Sequence, residues 1–183
     1  MLLSSLALAG AQAASASPPA PPLAAKGAAL PADIVRFFEG SWTGSGNFVR
    51  GNKPLQSTYR FESVSDGQGL LVRHQEQLPH TFSFVGLWSV DTRSGDVVMM
   101  LASNLKGGAR MFRSSGWQGA TLTFRPDSSL QTWFAQERIT IQRLDATRFS
   151  ARYELSRDGV NWGGGDFQTF TRDPAAGVSP AQS

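Results

Sequence analysis

Cysteine is absent from the 183-residue chain. A thiol nucleophile, a zinc ribbon, an iron–sulfur centre, a CxxC redox pair and a disulfide framework are all excluded on that ground. Histidine is scarce, with His74 and His80 the only two. A lone His74-x-Glu76 spacing falls short of the three protein ligands usual at a catalytic zinc, so neither a metal nor a cofactor is expected. Long apolar runs are missing too: no window offers the ~20 consecutive residues a bilayer-spanning helix needs. Basic clusters are also lacking. Three Lys and 14 Arg make up the 17 basic residues and leave a net charge of +3, yet they are scattered singly, as at Arg60, Arg73, Arg93, Arg113, Arg125 and Arg143. A nucleic-acid footprint needs clustering, so no nucleic-acid partner is expected.

What remains is rich in core-forming residues. The chain is 40% hydrophobic, with 12 Phe, five Trp, 19 Gly and 10 Pro. That composition suits one globular domain and excludes a disordered polyelectrolyte. Met1 to Ala16 carries the apolar stretch Leu2, Leu3, Leu6, Ala7, Leu8 and Ala9, followed by small-residue sites at Ala11-Gln12-Ala13 and Ala14-Ser15-Ala16. It reads as a signal peptide whose positive n-region is lacking, with the true start expected upstream and a periplasmic or secreted location. Residues 17–31, rich in Pro and Ala, are expected to be a flexible tether, because they bury too little to offset the entropy of ordering. A tail over 174–183 is expected to be disordered, leaving a domain at 32–173.

Pro31 stands where a helix can begin, and Ile34, Phe37 and Phe38 then share one face before Gly40 stops it. From Trp42 onward the period is two. Strands are expected at about 41–50, 55–64, 69–78, 81–91, 96–103, 109–116, 119–125, 131–143, 147–157 and 165–172, parted by Gly, Asn, Asp and Pro. No stretch between them can form a βαβ crossover helix, so the sheet is expected to be antiparallel. Some ten short strands hide their edges best by closing on themselves, and the expected fold is all-β: an up-and-down barrel with a short N-terminal helix. Alternation then points Tyr59, Phe61, Phe82, Phe84, Trp88, Met99, Trp133, Ile139, Ile141, Phe149 and Tyr153 inward.

The run Gly40-Ser41-Trp42-Thr43-Gly44-Ser45-Gly46 resembles the opening strand of the calycins, the lipocalin and fatty-acid-binding superfamily, and its extended form is similar to nitrobindin-like bacterial domains. The likeness covers roughly Asp33 to Asp173. It implies a barrel in which Trp42 closes one end after the turn at Gly40, with Arg172 of Phe170-Thr171-Arg172 packing on the indole. Haem binding in nitrobindin-like barrels uses a His late in the chain, and here none follows His80, so haem is not implied. Fatty-acid-binding barrels hold a carboxylate with inward Arg and Tyr. Arg152 and Tyr153 do not reproduce that pair, since neighbours on a strand face opposite sides.

Three polar residues are candidates for chemistry. His74 and Glu76 share a strand face with Leu70 and Val72, where they would shift each other's pKa as a general base requires. The alternative is a satisfied polar pair. Glu137 falls on the face of Trp133, Ile139 and Ile141, and a buried carboxylate there needs a partner, with Arg73, Arg110 or Arg113 available. A bulge that turns Glu137 outward is the alternative. His80, beside Pro79, is expected in an exposed turn. Three functions follow: a barrel binding a small hydrophobic molecule through Phe82, Phe84, Trp88, Met99, Trp133 and Tyr153; a filled structural or protein-interaction barrel; or an enzyme using His74, Glu76 and Glu137. Binding is the expectation ranked first.

Overall fold

The computed structural model describes residues 29–105, 108–127 and 136–174. The expected signal peptide, most of the tether, nearly all of the tail, and Trp133 lie outside them. A helix, α1 (Ala32–Phe38), precedes eleven strands: β1 (Gly40–Phe48), β2 (Pro54–Val64), β3 (Gly69–Leu78), β4 (Ser83–Val90), β5 (Val97–Ser103), β6 (Ala109–Ser114), β7 (Trp117–Gln118), β8 (Thr121–Pro126), β9 (Gln136–Arg143), β10 (Arg148–Ser156) and β11 (Gly163–Arg172). Each pairs antiparallel with its neighbours, and β1 closes onto β11 in continuous register from Trp42↔Arg172 to Phe48↔Asp166. At the other seam β6 meets β8 through Phe112↔Pro126 and Arg113↔Arg125, and the Asp127 N–H extends the contact to the Met111 carbonyl. Ten strands therefore form a closed barrel, and β7 is an extra strand on β8.

Here the strands differ from the expected pair 109–116 and 119–125. Gly116 at φ +86° and Gly119 at φ +62° take left-handed conformations and cut out the two-residue β7 between them.

One end of the barrel is plugged. Seven residues are too few for a helix that stands alone, and α1 is held by burial of Ile34, Phe37 and Phe38 together with Leu30. Phe38 meets Phe61, Trp88, Trp117 and Phe149 edge-on, tilted or stacked at 5.0–5.9 Å between ring centroids. The last carbonyls of α1 have no intrahelical partners, and two side chains supply them. Trp42 Nε1 donates to the Phe38 carbonyl at 2.7 Å, and Arg172 donates to the carbonyls of Phe37 and Glu39. The same guanidinium lies 4.2 Å over the Trp42 ring. Gly40 turns the chain from helix to strand at φ +114°, where a Cβ would press on the Arg172 fork. Arg143 completes the plug, stacking 4.4 Å from both Phe37 and Trp117.

Candidate functional site

Because α1 fills only one end, the rest of the interior is open and encloses a cavity of about 380 Å³. That volume falls within the range of small-molecule sites. Beside the plug the wall is aromatic and aliphatic: Phe61, Trp88, Met99, Phe112, Phe124 and Phe149. Toward the opposite end it becomes polar, through Glu76, Thr81, Arg110, Tyr153 and Asp166. Of the sequence candidates for ligand contact, Phe82, Phe84, Trp88, Met99 and Tyr153 line this lumen, and Trp133 lies outside the described residues.

His74 stands between the two regions, opposite Tyr59 on β2 and Phe84 on β4. Its ring stacks on Phe84 at 5.0 Å and tilts against Tyr59 at 4.6 Å. Burial pushes its pKa down to about 4, so the imidazole is neutral at pH 7, and Nδ1 has no hydrogen-bond partner. Burial likewise raises the Tyr59 phenol, with Asp166 adding to the effect.

Glu76 faces the same interior but makes no hydrogen bond to His74. Its Oε2 accepts from the Thr81 N–H at 2.7 Å, the Thr81 hydroxyl at 2.6 Å and the Phe82 N–H at 3.0 Å. Three donors in the β3–β4 connection make this carboxylate an anchor for that turn rather than the partner of an imidazole. His80, in the same connection, is exposed at φ +68°.

Glu137 is 1% exposed and points inward, with no bulge to turn it out. Arg110, one of its three candidate partners, forms an ion pair with Oε2, and the Tyr153 hydroxyl donates to the same oxygen at 2.6 Å. Glu137 Oε1 is without a partner. The other two candidates lie elsewhere. Arg73 is exposed, and Arg113 pairs with Asp91 at 2.7 Å and with Asp127. An inward Arg and Tyr do therefore converge on a carboxylate in this barrel, from strands β6 and β10, but the carboxylate belongs to the chain itself.

Asp166 is the site residue that sequence reasoning missed. It lies opposite Tyr153 and Phe48 and lines the lumen. Burial, then the nearby Glu76 charge, raises its pKa to about 6. Its carboxylate makes no hydrogen bond or ion pair with the described residues. The signal was present in parity: Asp166, Gln168 and Phe170 share one face. Its placement depends on Gly165, at φ +72°, where any Cβ would strike the Tyr153 carbonyl oxygen. Glycine lets β11 close on β10 at the register shift between Tyr153 and Leu155. Nearby, Gln168 is buried and accepts from the Ser57 hydroxyl at 2.7 Å.

A second, more open hollow of about 600 Å³ lies against the wall of β2–β5. Its lining includes the outward side chains Arg60, Arg73, Gln75 and Val85. Among the described residues no group of three or more His, Asp or Glu could hold a metal ion, and no helix is long and apolar enough to cross a membrane.

No family model matches the chain, and no curated protein matches it. Among solved structures it is similar to Rv2717c from M. tuberculosis, at 15% identity and a TM-score of 0.53, over 78% of this chain and 96% of that one. It also matches EF1p2_mFAP2b bound to DFHBI, at 12% identity and a TM-score of 0.39, over 76% and 96% of the two chains. The likeness to Rv2717c is one of fold.

Proposed function

We propose that this calycin-like barrel is an exported protein that binds a small hydrophobic molecule in its lumen. The observation that carries the reading is the open cavity of about 380 Å³ between the aromatic plug and the polar end. A filled structural barrel would have packed that volume to native density. Two buried polar atoms on its wall, Trp88 Nε1 and His74 Nδ1, have no protein partner, which suits a site completed by a guest. Burying eight methylene groups is worth about 6 kcal/mol, equivalent to a Kd of tens of micromolar before the cost of immobilising the ligand is subtracted.

Titration with the neutral dye N-phenyl-1-naphthylamine tests the reading. Saturable binding of one dye per chain is expected, and Met99→Trp, which fills the aromatic region, should weaken it at least about tenfold while the circular dichroism spectrum is kept. Dye binding that does not saturate, or that Met99→Trp leaves unchanged, contradicts an open lumen. Export is supported by the apolar Met1 to Ala16 stretch and its small-residue sites. It is checked by sequencing the N-terminus of the chain recovered from host cell fractions. A processed chain in the periplasm or medium is expected, and an unprocessed cytoplasmic one contradicts it.

A further inference from the structure

We infer that the polar end of the lumen takes the protonated amine of an amphiphile, with Asp166 as its counter-ion. This rests on the ligand-binding reading above and names the class of ligand. The polar end is lined by two carboxylates, Glu76 and Asp166, and by the guanidinium groups of Arg110 and Arg152, with Arg110 paired to the buried Glu137. Arg152 meets the cavity at its solvent-exposed rim, whereas Arg110 is held inside by Glu137. Two of the three carboxylates are engaged: Glu76 by Thr81 and Phe82, Glu137 by Arg110 and Tyr153. Asp166 is the one with no such partner.

The donors that would clamp a ligand carboxylate are occupied in the same way. Arg110 and Tyr153 both point at Glu137 Oε2, so an incoming carboxylate would have to displace a buried internal anion and sit beside Asp166 and Glu76. Like charges in a low-dielectric site repel strongly. An ammonium group meets the opposite situation, because it brings donors to an unpaired acceptor. Independently of the carboxylates, His74 is 7% exposed, lines the cavity and leaves Nδ1 unpartnered. A neutral imidazole offers an acceptor nitrogen and adds no competing positive charge. The apolar body of the guest would lie beyond it, against Trp88 and Met99.

Competition against N-phenyl-1-naphthylamine at pH 7.5 tests this with three eight-carbon probes: octylamine, octanol and octanoate. Octylamine should displace the dye at a concentration at least about tenfold below octanoate, with octanol between them. Asp166→Asn should bring octylamine to the level of octanol and leave octanol itself unchanged. Octylamine affinity should also weaken as pH falls through about 6, where Asp166 takes up its proton. The other titratable and charged groups facing it are Glu76, Tyr59, Tyr153, His74, Arg110 and Arg152; His74 titrates at about 4, and burial raises both phenols above their ordinary value. Octanoate binding as tightly as octylamine, or an amine preference that survives Asp166→Asn, overturns the inference. Failure of the dye to bind overturns the ligand-binding reading as well. Dye binding without amine preference overturns this inference alone.

Discussion

His74 and Asp166 sit in one lumen and respond to pH in opposite directions. His74 titrates near 4 in the fold and near 6.5 when unfolded, so the unfolded chain takes the proton first. Its contribution to stability is present above pH 6.5 and lost as pH falls toward 4, by about 3 kcal/mol for a shift of this size. Asp166 is raised from 3.8 to about 6, so the fold keeps a proton that the unfolded chain releases. Its contribution is present below pH 3.8 and lost as pH rises through about 6. Wild type shows the difference of two opposed slopes. In His74→Phe the melting temperature should fall between pH 4 and 6, and in Asp166→Asn it should rise over the same interval. Calorimetry at half-unit pH steps distinguishes them, and parallel profiles for the two variants would show that neither group is perturbed by the lumen.

At the level of elements, α1 is the part whose stability is borrowed. Its terminal carbonyls depend on Trp42 and Arg172, which join the N-terminal plug to the last strand of the barrel. Arg172→Ala removes two hydrogen bonds and a cation–π contact and should lower stability by about 2 kcal/mol in urea unfolding. Arg172→Lys should recover less than half, since an ammonium cannot fork to two carbonyls. Full recovery by lysine would reduce the contact to simple charge. This end of the molecule was legible in the sequence, because Gly-x-Trp, the helix face of Ile34, Phe37 and Phe38, and a late Arg each leave a local mark. Strands β1 to β5 were legible from period-two alternation to within a few residues. Strands β6 and β8 fall within two residues of the expected pair, and only β7 was missed, since two residues between left-handed glycines are too few to carry an alternation. The meeting of Arg110, Glu137 and Tyr153 was not legible. Three strands bring it about, and Arg110 was only one of three candidates until register chose it.

At the scale of the whole molecule, the barrel is closed at one end by aromatic packing and open inside. Parity along each strand decides which side chains enter the lumen, whereas the emptiness of the lumen comes from their summed volumes, which no single strand reveals. The indole N–H groups report on this separately. Trp88 Nε1 lies unpartnered on the lumen wall, while Trp42 Nε1 is bonded to Phe38 and Trp162 Nε1 to Gly159 at 3.1 Å. Two-dimensional ¹H–¹⁵N spectra recorded during titration with octanol follow all of them at once. The Trp88 indole resonance should shift and saturate while that of Trp162 stays fixed. A Trp88 resonance that does not move while Trp162 shifts would place the guest outside the barrel and contradict the account.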